Sequence, residues 1–137
     1  MVIPRPPEIR RVAIIFDDKL RPETTGTYCR RALQGMVEFE HVLPTDLSRL
    51  QTLNASMPQR HNAFDLYLRI DDGLDYRLPA ELRPSAFWAI DTHLNFDGCL
   101  AKAREFDFVF AAQRDGAERL RQEGISSAVW LPRSFLL

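Results

Sequence analysis

Carboxylates stand at the ends of three apolar runs. Asp17 and Asp18 close VAIIF, Asp71 and Asp72 close LYLRI, and Asp91, with His93 two residues on, follows AFWAI. A histidine that titrates near neutrality can take a proton from an acceptor hydroxyl, and a neighbouring aspartate can orient that base or share a metal ion with it. The competing reading is structural, because acids that end strands also cap the next helix or accept bonds from loop amides. The segment ETTGTY supplies a second candidate, Thr25, Gly26 and Thr27, at the start of a helical pattern. Hydroxyls and unpaired amides there, together with the helix dipole, favour an anion such as diphosphate. Read structurally, the same segment is an N-cap made by Thr24 or Thr25. Neither GxGxxG nor a P-loop is present. Gly26 lets the backbone run close to whatever lies above it, so Gly26→Val is expected to damage ligand binding and spare the fold.

The remaining reactive residues carry less. Cys29 and Cys99 lack CxxC spacing, and His41 and His61 have no metal-like spacing, so they read as core or surface residues. Neither a metal nor a cofactor is expected. Trp88 and Trp130 lie inside strand-like runs and read as core. The 137 residues carry 18 Lys plus Arg against 19 Asp plus Glu, a net charge of -1. Such a balance gives no field to gather nucleic acid or hold an anionic membrane. No apolar run approaches the roughly 18 residues of a membrane span, and MVIPRPPEIRR lacks the apolar stretch of a secretory signal. With only two cysteines, the expectation is a reducing, cytoplasmic compartment.

Residue patterning gives the elements that must position these groups. Residues 1–10, with Pro4, Pro6 and Pro7, read as a leader, and 11–137 as one domain. Runs at 12–16, 41–43, 66–70, 86–90, 106–112 and 128–132 read as six strands. Between them, 28–39 is a helix with Ala32, Leu33, Met36 and Val37 on one face, and TDLSRLQTL is a short helix capped by Thr45 or Asp46. NFDGCLAKAREF turns Leu100, Ala103 and Phe106 inward, and RDGAERLRQEG is a helix closed by Gly124. Strands alternating with helices predict an α/β, three-layer, Rossmann-like domain. Its mostly parallel sheet of about six strands has helices on both faces, in the order 3-2-1-4-5-6.

In their order, RPETTGTYCRRAL, LYLRIDDG, FWAIDTHL, FDFVFAAQRDGAERLRQEGI and AVWLP cover most of 12–132. So arranged, they resemble the N-terminal half of bacterial CgeB-like (spore maturation type) glycosyltransferases, group 1 enzymes of the GT-B fold. The resemblance implies transfer of a sugar from a nucleotide-sugar donor to an acceptor hydroxyl, without a tightly bound metal. It implies that Thr25, Gly26 and Thr27 face an interdomain cleft, and that Asp91 and His93 hold and deprotonate the acceptor. It also implies a C-terminal donor domain where this chain stops at RSFLL, so the chain is expected to be an excised, truncated or split half. Such a half would be completed by that domain or by a second copy, with Leu136 and Leu137 in the contact.

Two other classes stay open. One is a non-catalytic binding or assembly module. The other is a receiver-like signalling domain that would bind Mg²⁺ at Asp17, Asp18 and Asp71 and take a phosphoryl group on Asp71, with Thr92 nearby. Gln113 stands where that class places a lysine.

Overall fold

Short runs of branched and aromatic residues build the sheet, and the charges between them decide which strands can be central. The computed structural model describes residues 8–19, 25–57 and 62–133. Its strands are β1 (Arg11–Ile15), β2 (Glu38–Val42), β3 (Leu66–Ile70), β4 (Ser85–Ala89), β5 (Phe108–Ala111) and β6 (Val129–Trp130). All neighbours pair in parallel, in the order β2-β1-β3-β4-β5-β6. The helices are α1 (Thr25–Leu33), α2 (Leu47–Ala55, after a 3-10 turn over Pro44–Asp46), α3 (Phe96–Ala103) and α4 (Arg114–Gln122). The α/β, three-layer, Rossmann-like architecture is therefore the one the patterning predicts. Pro4, Pro6, Pro7, Thr24, His61, Leu136 and Leu137 lie outside the described residues.

The strand order differs from the expected 3-2-1-4-5-6. β3 pairs with β1 itself, from Val12↔Leu66 to Ile15↔Arg69, and β2 is an edge strand. The reason is charge. EFEHV places Glu38 and Glu40 in β2, where they stay exposed or half-buried, and a strand between β1 and β3 would have to bury them. β1 and β4, by contrast, are buried almost throughout.

Only the β1-to-β2 crossover runs toward that edge, and a right-handed crossover in the opposite direction puts its helix on the opposite face. Accordingly Cys29 of α1 packs with Val12, Ile14, Phe16, Ile70 and Trp88 on one face of the sheet. On the other face Leu47 and Leu50 of α2 meet Ala13, Ile15 and Tyr67. Leu100, Ala103, Ala117 and Leu120, from α3 and α4, meet Phe87, Val109 and Ala111.

Three local expectations change. α1 ends at Leu33 because Gly35, at φ +84°, takes the left-handed conformation that closes a helix, and Met36 N–H bonds to the Leu33 carbonyl at 3.0 Å. Met36 therefore points outward, 73% exposed, instead of inward. The following strand starts three residues earlier than predicted, at Glu38. Trp130 is 47% exposed because β6 is a two-residue edge strand, with its indole N–H donated to the Ala112 carbonyl at 3.2 Å. Asp46 occupies the N-cap of α2 without a side-chain bond, whereas Asn95 caps α3 by accepting from Gly98 N–H at 3.1 Å. Gly124, at φ +101°, follows α4 as expected.

Two predictions follow from this packing. A Cβ at Gly26 would lie 2.4 Å from the Phe16 ring, so substitution there attacks the fold, contrary to the expectation for Gly26→Val. Gly26→Ala is expected to destabilise the protein by about 1–3 kcal/mol, read from urea midpoints. At the other end of the sheet, the Arg83 guanidinium bonds to Asp107 and holds its carboxyl below the usual range, helped by Ser85 N–H at 2.8 Å. A carboxylate whose folded pKa is depressed gives stability that is complete above its unfolded pKa of about 3.9 and is lost as pH falls through the folded value. Asp107→Asn should flatten the stability profile over that acid limb, measured by urea unfolding between roughly pH 2 and 5.

Candidate functional site

β1 has β2 on one side and β3 on the other, so the connections leaving the carboxyl ends of β1 and β3 diverge and open a crevice. A cleft of about 420 Å³ lies there. Thr25, at the start of α1, contributes one part of its wall, and Asp71, Asp72 and Gly73, after β3, another. Ile90 and Asp91, after β4, join Asn95, Cys99 and Lys102 of the α3 region, and Arg133 completes it. A larger hollow of about 660 Å³ lies at the opposite edge of the sheet, around Arg10, Arg11 and Glu38. Asp65 there accepts the backbone N–H groups of Arg10 and Arg11 at 2.9 Å each, so its carboxylate serves the chain. The switch-point cleft is the better candidate because it holds Asp91, whose carboxylate has no partner among the described residues.

The acids after β3 are engaged. Asp72 accepts from Asp17 N–H at 2.9 Å, Leu74 N–H at 3.0 Å and the Tyr76 hydroxyl at 3.3 Å. Asp71 accepts from Gly73 N–H at 3.2 Å and Ile90 N–H at 3.4 Å. Both line the cleft, yet their oxygens tie the loop to β1 and β4. Gly73, at φ +78°, takes the turn in which the Asp71 carboxylate accepts the Gly73 amide two residues on. Asp91 is exposed, and its carboxylate has no hydrogen-bond or ion-pair partner among the described residues. It is the cleft carboxylate left for a ligand.

The other predicted site residues fall in different places. His93 is exposed and does not line the cleft. It sits in the same turn as Asp91, whose carbonyl accepts Leu94 N–H at 3.1 Å. Thr25 reaches the cleft, while Gly26 and Thr27 are buried within α1. Asp17 is half-buried beside the loop and its amide is held by Asp72, and Asp18 turns toward His41 Nδ1 at 3.6 Å. Thr92 is buried, its hydroxyl 3.1 Å from Gln113 Oε1, and it packs against Gly116.

Sequence patterning missed Lys102, Arg133 and Asn95, since helical and C-terminal polar residues carry no strand-end signal. It also missed the environment of His41. That ring stacks on Phe16 at 4.0 Å, its Nε2 bonds to the Phe16 carbonyl at 2.8 Å, and Arg30 approaches Nδ1 at 3.5 Å. Cys99 lies in the cleft wall, but burial pushes its thiol up to about 11, aided by the negative charges of Asp71 and Asp91. It is a thiol at neutral pH and a poor nucleophile.

Among the described residues no three His, Cys, Asp or Glu side chains are placed to hold a metal ion, and no helix is long and apolar enough to cross a membrane. The fold and site thus define a doubly wound α/β domain with a polar cleft at its topological switch point. The chain matches no protein-family profile, no curated protein and no solved structure.

Because the Asp72 carboxylate is tied to the chain and that of Asp91 has no partner among the described residues, the two should separate on substitution. Asp72→Ala is expected to lose about 2 kcal/mol of stability by chemical denaturation. Asp91→Ala should stay within about 0.5 kcal/mol of wild type.

Proposed function

We propose that this chain is the acceptor-side domain of a glycosyltransferase-like protein. In this reading it moves a sugar from a nucleotide-sugar donor to an acceptor hydroxyl when a second domain, or a second copy, closes over the cleft. The observation that carries the reading is Asp91, a carboxylate without a partner among the described residues, in a cleft at the switch point with Lys102 and Arg133 in the same wall. Ligands of open parallel sheets collect at that edge. The residues also suit the chemistry. Asp91, or His93 in the same turn, takes the acceptor proton, and the hydroxyl oxygen attacks the anomeric carbon. The bond from that carbon to the diphosphate oxygen breaks, and nearby amides and cations stabilise the departing charge. The resemblance of ETTGTY and FWAIDTHL to the CgeB-like enzymes supports the same assignment, with Thr25 on the cleft side of α1.

One observation favours the receiver-like reading. The order β2-β1-β3-β4-β5 is that of the doubly wound domains to which receivers belong. Against it, Asp18 faces His41, and Asp71 is bound by two loop amides.

Backbone NMR of the chain, titrated with UDP-, GDP- and dTDP-sugars, tests the proposal. Amide shifts at Thr25, Gly73 and Asp91 with at least one nucleotide sugar are expected. No perturbation at those amides overturns a share for this cleft in donor binding, and leaves an acceptor-side half that needs its donor domain or a binding or assembly module. Mg²⁺ with beryllofluoride perturbing Asp17, Asp71 and Thr92 instead would establish the receiver reading.

A further inference from the structure

A guanidinium that loses all contact with water forfeits several kcal/mol of hydration unless a carboxylate or a full set of acceptors replaces it. Arg69, the next-to-last residue of β3, is 0% exposed. Among the described residues no carboxylate lies at ion-pair distance from it, and its Nε has no hydrogen-bond partner. Its remaining nitrogens are committed. One Nη donates to the Tyr76 carbonyl at 2.6 Å and the other to the Leu74 carbonyl at 2.9 Å, while the Tyr76 ring stacks 3.7 Å from the guanidinium carbon. The chain between β3 and β4 has no helix, so this buried cation does the work of fastening the connection across the sheet.

The Leu74 carbonyl has a second donor, Lys102 Nζ at 3.0 Å, and Lys102 lines the cleft. Leu74 N–H is held in turn by Asp72, which also accepts the Tyr76 hydroxyl. One residue, Leu74, is therefore held by a cleft carboxylate at its N–H and, at its C=O, by both the buried cation and a cleft cation. We infer that Arg69 is a positioning residue for the cleft, setting the place of the Lys102 ammonium through the Leu74 carbonyl that both donate to. Lys102 then keeps two N–H donors for acceptor oxygens of a bound ligand. The inference stands on these bonds and does not depend on which ligand the cleft takes.

The sequence provides the assay, since Lys19 and Lys102 are its two lysines. Amine acylation of the folded chain, resolved by peptide mass, gives the rate at Lys102 against Lys19 as an internal standard. In Arg69→Met the Lys102-to-Lys19 ratio is expected to rise roughly two- to tenfold, the range for losing one hydrogen bond, and Arg69→Lys should restore part of it. An unchanged ratio in folded Arg69→Met overturns the inference. Should Arg69→Met fail to fold, Lys102→Met decides the question from the far end of the link. The Leu74 carbonyl ¹³C and Arg69 Nη ¹⁵N resonances should move in Lys102→Met and stay in place in Lys19→Met. No movement in Lys102→Met overturns the inference equally.

Discussion

The pairing of β3 with β1 is the constraint on which the remaining architecture depends. From Val12↔Leu66 to Ile15↔Arg69 it places β2 alone on the far side of β1. That placement sends one crossover helix to one face and the others to the opposite face. It also makes the chain diverge at the carboxyl end of β1, which opens the cleft. A cleft at this edge is therefore a result of strand order, before any side chain is considered.

What lines that edge shows how one set of acids divides between structure and chemistry. A loop without a helix has backbone groups to satisfy, and Asp71 and Asp72 satisfy several of them, joined from beneath by Arg69. These groups hold the cleft wall in place. Asp91 is spared that duty because α3 has its own cap in Asn95, so a strand-end acid keeps its carboxylate oxygens without a partner among the described residues. A carboxylate relieved of structural bonds by a neighbour is a better ligand for an incoming hydroxyl than one whose lone pairs are already occupied.

The same economy explains close packing near the cleft. Gly26 and Gly116 have no room for a Cβ, the first against Phe16 and the second against Thr92, so α1 starts close to the end of β1 and α4 close to the segment that leaves β4. Phe16 in turn carries the His41 ring and accepts its N–H, which ties the end of β1 to β2 at the same edge. The rim is thus built on short, rigid junctions.

By itself the sequence determined the six strands, the alternation with helices, the parallel three-layer class and the placing of Asp17, Asp71, Asp72 and Asp91 at strand ends. Those features follow from local apolar runs and the charges that interrupt them, and local patterns are written in consecutive residues. Gly35 and the two glutamates of β2 were also legible, as the stop of α1 and the mark of an edge strand, although helical spacing through Met36 and the usual strand order pointed elsewhere. Only the tertiary structure decided that β3 lies against β1, that Lys102 and Arg133 reach the cleft, that Trp130 is exposed and that Asp72 is bound while the Asp91 carboxylate meets no partner among the described residues. Each of these is a relation between residues distant in the chain. Which backbone amide a carboxylate meets is set by how loops stack after the strands have paired, and no spacing along the sequence carries that distance.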